Sequence, residues 1–170
     1  TRWVHTGCMR VINGLMFFPR GGSSQVVDAL AHELPGLGWE TTIVSGSLPG
    51  GFGDAPAFYA EHDVHAVTFG VDAPMHPSFE DRPGAPDPVF ASVDDATYEE
   101  HVAAWCRALE DADAAGADVL QLHHLTPLNE AAARVAPGVP VVGHLHGTEL
   151  LMLEQIAQGA PAHWTHAQAW

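Results

Sequence analysis

The sequence predicts an α/β fold, a Rossmann-like parallel sheet flanked by helices, and three observations carry the prediction. Short apolar runs rich in β-branched residues alternate with stretches whose apolar residues recur every three or four positions. Each run ends at glycine, proline or a polar cluster, so strands and helices are separated by turns. Alternation at this spacing implies right-handed crossovers, which place every strand-to-helix turn on one edge of a parallel sheet.

The first strand is Arg10–Leu15, inside an apolar stretch that runs from Met9 to Phe18 and stops at Pro19. Arg20, Gly21, Gly22, Ser23 and Ser24 then lead into a helix whose face is Val26, Val27, Leu30, Ala31 and Leu34, broken by Pro35-Gly36. Glu40–Ser45 is a short second strand. Gly46–Asp63, rich in Gly, Pro and Ala, reads as loop, and His65–Val71 as a third strand. Asp72–Ala91 has several prolines and few apolar residues, which predicts a long surface loop, a lid or an acceptor-binding arm.

Ser92 is the expected cap of the next helix, with Asp95 three residues on. Its apolar stripe is Tyr98, Val102, Trp105, Cys106 and Leu109, with Gly116 ending it. Val119–Leu122 and Val139–Val142 read as two buried strands. Between them Thr126 caps a helix with Pro127 at its first position, where a missing N–H is no loss. Leu150 to Ile156 reads as a short helix, and Pro161 opens another that carries Trp164 and runs to Trp170. Two tryptophans on that last helix imply a neighbouring surface.

At 170 residues the chain suits one domain with a real core. Its formal charge is −15, from 21 acids against six bases, all arginine. So acidic a surface argues against nucleic acid or anionic membrane as the main partner. Hydrophobic residues make up 46%, which argues against disorder, and no run is long enough to span a bilayer. Cys8 and Cys106 form no disulfide framework; Cys106 reads as a buried thiol, and a cytoplasmic location is expected. Residues 1–8 are expected to be a leader or remnant, because Met9-Arg10-Val11 has the look of a start, with a single domain over 9–170.

The chemistry-bearing residues gather in three turns: Arg20–Ser24, His123–Asn129 and His144–Glu149. With strand order 3-2-1-4-5, strands one and four meet at the switch point, and the glycine pair lies beside the histidine turns in one crevice. Glycines between a strand and a helix start let backbone N–H groups approach a diphosphate. Arg20 is the only cation expected near that turn.

Three segments resemble the N-terminal half of a retaining glycosyltransferase of the GT-B fold, family 4. They are PRGGSSQVVDALAHELPGLGWETTIVS, ADVLQLHHLTP and VPVVGHLHGTE, in the family's order and spacing. The resemblance implies one lobe of a GT-B fold. It implies transfer of a hexosyl group from a nucleotide-diphosphate sugar to an acceptor, with retention and with no bound metal or other cofactor. Gly21 and Gly22, with Ser23, match the donor diphosphate turn. His146 matches the histidine at the reaction centre, and His123 the one near the acceptor. His144 stands where many members have threonine, and His124 has no firm counterpart. With Asn129, Gly147, Thr148 and Glu149 these histidines form the expected sugar and acceptor set. The second Rossmann domain of such enzymes, with its basic pair and acidic motif, has no counterpart in this sequence, so the chain by itself is expected to be inactive.

Three other readings compete. His144-Leu145-His146 at a strand end puts two imidazoles on one face, as a metal-dependent hydrolase with an HxH pair requires, though no carboxylate or cysteine set completes it. A non-catalytic Rossmann module that holds a sugar or nucleotide also fits. A dehydrogenase is disfavoured, because the first turn lacks GxGxxG.

Overall fold

A computed structural model describes residues 8–82, 84–85 and 87–167. Five strands form one parallel sheet in the order β3-β2-β1-β4-β5. They are β1 Met9–Leu15, β2 Trp39–Ser47, β3 Asp63–Thr68, β4 Val119–His123 and β5 Val141–His144. The helices are α1 Gly22–Glu33, α2 Ala55–Phe58, α3 Asp95–Asp111, α4 Pro127–Val135 and α5 Thr148–Ala157. Strand order and direction are those the alternating pattern predicts.

Register sets the functional rim. Leu15 lies opposite Ser45 on one side and His123 on the other, and His123 lies opposite His144. The ends of β1, β4 and β5 are therefore level, with β2 running two residues farther to Ser47, and the turns that follow β1, β4 and β5 leave from one line. Beneath that line Ile12, Ile43, Leu120 and Leu122 are buried, as central strands covered on both faces require. Across one face α3 packs on α4, with Val102, Trp105 and Leu109 buried together with Leu128, Ala131 and Ala132. The exposed side of this pair is tied by Arg134, which bonds both Glu99 and Glu130.

Several expectations are corrected. Asp72–Ala91 is no surface loop: Ala73, His76, Ser78, Phe79, Asp87, Val89, Phe90 and Ala91 in it are buried. A bridge between Ser78 and Val89 folds it back on itself, so its aromatic groups reach the core without helical or strand periodicity. Gly46–Asp63 begins as strand and contains α2, capped by the Asp54 carboxylate on the Ala57 N–H. Gly46 is needed there, since a Cβ would lie 2.0 Å from the Met16 carbonyl oxygen. The third strand starts two residues before His65 and ends at Thr68.

Asp94, not Ser92, caps α3 by accepting from the Thr97 N–H, while Ser92 closes a 3-10 turn. That helix stops at Asp111, and Gly116 ends a separate 3-10 turn. Cys106 is only half-buried, and burial raises its thiol pKa. The last strand begins at Val141, and Val141 and Val142 are each 51% exposed, because β5 is the sheet edge among the described residues. Among the described residues Pro161 opens a run of turns through His166 where a helix was expected, and Trp164 is buried. Residues 1–7 of the expected leader and Trp170 lie outside the described residues, while Cys8 is exposed. No helix among the described residues is long and apolar enough to cross a membrane.

Candidate functional site

A cleft of about 290 Å³ opens on the rim. One wall is the turn after β1, with Phe17, Phe18, Arg20, Gly21 and Ser23. The other is Ser78, Phe79, Glu80 and Arg82 from the folded-back segment, and His124 and Thr148 reach it from the turns after β4 and β5. The glycine turn and the histidine turns thus share one depression.

Gly21 is the N-cap of α1, extended at φ −157°, and the Ser24 hydroxyl donates to its carbonyl over 2.6 Å. Neither Gly21 nor Gly22 has a positive φ. A Cβ built on either would meet nothing within 4 Å. No constraint inside the fold asks for glycine at these two places.

The four rim histidines pack against one another. His123 is fully buried at the end of β4, its Nδ1 2.9 Å from His146 Nε2, and its own Nε2 has no hydrogen-bond partner among the described residues. The contact holds one proton between the two nitrogens, so the rings do not both become cations. Burial, with His146, His144 and His124 alongside, pushes the His123 pKa down to about 3. Burial and the same crowding push His146 down to about 4. Rings 144 and 146 stack at 4.4 Å with an interplanar angle of 4°.

His124 takes the left-handed conformation, φ 67°, which carries its chain sharply from β4 toward α4. Its N–H donates to the His144 carbonyl at 2.9 Å, and its Nδ1 lies 2.7 Å from Glu149 Oε1. Glu149 is 1% exposed at the start of α5, and Thr148 Oγ1 donates to its other oxygen over 3.4 Å. Burial lowers the His124 pKa and outweighs the opposing pull of Glu149. With Nδ1–H given to the carboxylate, Nε2 remains as the acceptor nitrogen. Phe17 meets the ring edge-on at 4.9 Å and Phe79 stacks on it at 5.8 Å.

The expected site residues therefore fall into groups. Gly21, Ser23, His124 and Thr148 line the cleft. His146 is not among its lining residues but lies against His124, ring centroids 4.4 Å apart. Gly147, at φ 95°, is the N-cap that lets the chain turn from His146 into α5. The Asn129 carboxamide accepts from the Thr126 N–H at 2.9 Å and completes a capping box on α4, so it serves the helix start.

Arg82, Asp87 and Phe79, all from the segment whose composition predicts a surface loop, are further residues of the site. Arg20 is consequently not the sole cation. Arg20 and Arg82 both bond Asp87 Oδ2, at 3.2 and 2.7 Å, and Arg20 also lies 4.7 Å over the Phe18 ring. Burial would raise the Asp87 carboxyl, but its own backbone N–H and the two guanidiniums hold it below the usual range. With Glu80 on the wall, the cations of the cleft are matched by anions. A mixture of aromatic and charged residues among the prolines was the only signal of this wall in the sequence.

His123, His144 and His146 bring donor nitrogens within 4.8 Å of one another, so they are the residues of this rim able to approach a metal. An imidazole donates in its own plane, however, and parallel stacked rings send their lone pairs alongside one another. A metal at this point requires the rings to turn out of the stack.

No curated protein matches the chain. The family model described as Glycosyltransferase Family 4 matches residues 20–170, a span that begins at Arg20 and takes in both histidine turns. A parallel α/β sheet with its polar turns on one rim is the architecture of a GT-B lobe, and the chain belongs to glycosyltransferase family 4.

Proposed function

We propose that this glycosyltransferase domain forms the acceptor-side lobe of a retaining enzyme, which moves a hexosyl group from a nucleoside-diphosphate sugar to an acceptor. The observation that carries the reading is the Gly21-Gly22 pair: two glycines at a helix start, the first of them in the cleft wall, with no demand for them from within the described fold. A diphosphate seated on the N–H groups of Gly21, Gly22 and Ser23 would supply that demand. It needs the backbone at close range, and the start of α1 offers free N–H groups and the positive end of the helix dipole.

The sugar then lies toward His124 and His146. In the transfer, the bond between the anomeric carbon and the diphosphate oxygen breaks, and the electron pair leaves with the phosphate. The acceptor oxygen bonds to the same face of the carbon, and its proton passes to the departing phosphate oxygen. His146, with a pKa near 4, is uncharged at neutral pH, which suits it to orient the sugar or to support positive charge at the anomeric carbon. Such a ring is a poor proton donor to the leaving group. His123 and His144 hold it in place, and Glu149 fixes the tautomer of His124.

Charge sets what this lobe does alone. A donor diphosphate brings about two negative charges, and the departing phosphate needs preorganised cations. Arg20 and Arg82 are already committed to Asp87. We therefore propose that further cations come from a second lobe and that the chain alone binds nucleotide sugars weakly without turnover. The two free cysteines fit a reducing, cytoplasmic setting.

Calorimetric titration with uridine, guanosine and adenosine diphosphate sugars, followed by a transfer assay with the same donors, tests this. Weak saturable binding that falls about tenfold in the Gly21→Ala/Gly22→Ala variant, with an unchanged melting temperature, is expected. Sugar transfer by the isolated chain would overturn its proposed inactivity. Undiminished binding in the double variant would overturn the diphosphate turn.

A further inference from the structure

A second group of metal-ligating side chains lies away from the cleft. Asp28 and His32 are one turn apart on the same face of α1, and His62 immediately precedes β3. The strands begin at that end of the sheet, so this cluster sits toward the rim opposite the sugar site. Asp28 Oδ1 is 3.4 Å from His62 Nε2 and 4.0 Å from His32 Nε2. All three donor atoms lie within 4.8 Å of one another. The two imidazoles meet at 75° with centroids 4.5 Å apart, and Glu61 Oε2 lies 3.9 Å from His32 Nε2.

We propose that Asp28, His32 and His62 bind one divalent transition metal of the zinc class, with Glu61 or water as fourth ligand. The His62 side chain is 8% exposed, yet its Nε2 has no hydrogen-bond partner among the described residues although a carboxylate stands 3.4 Å away. A buried ring nitrogen left without a partner costs free energy, and a metal would satisfy it. A tetrahedral zinc with ligand bonds of about 2.0–2.2 Å keeps its donors roughly 3.4 Å apart. The Asp28–His62 separation of 3.4 Å already matches, while the 4.0 Å from Asp28 to His32 and the ring nitrogens, within 4.8 Å of each other, close by a movement of the half-exposed His32 side chain. Unlike the parallel rings on the cleft rim, these two are steeply inclined, which lets in-plane lone pairs converge. Imidazole with one carboxylate suits zinc, nickel or copper better than magnesium or calcium.

The three ligands come from positions 28, 32 and 62, which only the folded chain brings together. Metal binding would thus pin α1 to the turn before β3 and stabilise the native state without touching the sugar cleft.

The chain, purified without a polyhistidine tag and stripped with chelator, is titrated with Zn²⁺ by calorimetry and with Co²⁺ by visible absorption. His144→Ala/His146→Ala serves as a background in which the rim cluster keeps only His123 of its three candidate ligands. One equivalent of Co²⁺ with the intense bands of tetrahedral coordination is expected, in the parent and in this background. A rise in Tm of about 5–10 °C is expected at a hundredfold excess of Zn²⁺ over its Kd. His32→Gln, at a half-exposed position that does not threaten folding, and Asp28→Asn should each weaken binding at least tenfold and abolish the Tm rise. Absence of stoichiometric binding overturns the proposal, as does binding that survives in both variants or vanishes only with His144 and His146.

Discussion

A single buried carboxylate determines how the histidines of the rim are presented. Glu149 holds His124 Nδ1 from a position 1% exposed, and the backbone of His124 is in turn bonded to His144. Removing one member of a buried hydrogen-bonded pair leaves the other without a partner, and here the group left is the neutral Nδ1–H of His124, which costs about 1–3 kcal/mol. Glu149→Leu should therefore lower stability by that order in urea unfolding. Glu149→Gln, which can still accept from Nδ1–H, should cost clearly less, under about 1 kcal/mol. Equal losses in the two variants would mean that packing, and not the bond to His124, is what Glu149 provides. The sequence displayed all four histidines, because residues at strand ends announce themselves by the pattern before them. It did not display the pairing of 124 with 149, which depends on two turns being brought level by strand register.

Among the elements, β2 shows how closely the layers approach. At Gly46 the strand passes against the Met16 carbonyl and the Phe69 ring, where a Cβ would lie 2.0 Å from the oxygen and 2.6 Å from the ring. Backbone cannot yield as a side-chain tip does. Gly46→Ala should cost at least about 3 kcal/mol, beyond ordinary overpacking, and thermal melting should reveal it as a large loss of Tm. A near-parental melt would show that β2 can slide. That close approach was invisible in the sequence, where Gly46 opened a glycine-rich stretch and read as loop. The central strands were legible because burial on both faces requires continuous apolar runs. The segment from 72 to 91 was illegible because it packs aromatic side chains from irregular backbone, which leaves no period to detect. The edge strand misled in the opposite sense: Val141 and Val142 resemble core residues but stand half-exposed on the outermost strand.

For the molecule as a whole, the burial of neutral imidazoles governs the response to acid. His76 and His101 are fully buried with pKa values pushed down to about 4, and His123 to about 3, in each case chiefly by burial. Unfolded, each returns to about 6.5. Below that value the unfolded chain takes up protons that the fold refuses, so stability falls with pH until the folded values are passed. Each unit of depression is worth about 1.4 kcal/mol, a large step against the whole stability of a typical domain, about 5–15 kcal/mol. Circular dichroism should show acid unfolding with a midpoint at about pH 4–6, and His101→Leu should move that midpoint downward. A chain that stays folded below pH 3 would refute this assignment of neutral buried histidines. Strand order and direction were legible at this scale, because the handedness of crossovers leaves few topologies for alternating strands and helices.

The open space beside Gly21 and Gly22 has a consequence for any library randomised at those two codons. Selection for folded protein alone should scatter many side chains there, alanine and serine among them. Under the proposed function, selection for sugar transfer should restore glycine at both. The difference between the two harvests would record what a visiting molecule, and not the polypeptide itself, requires of that corner.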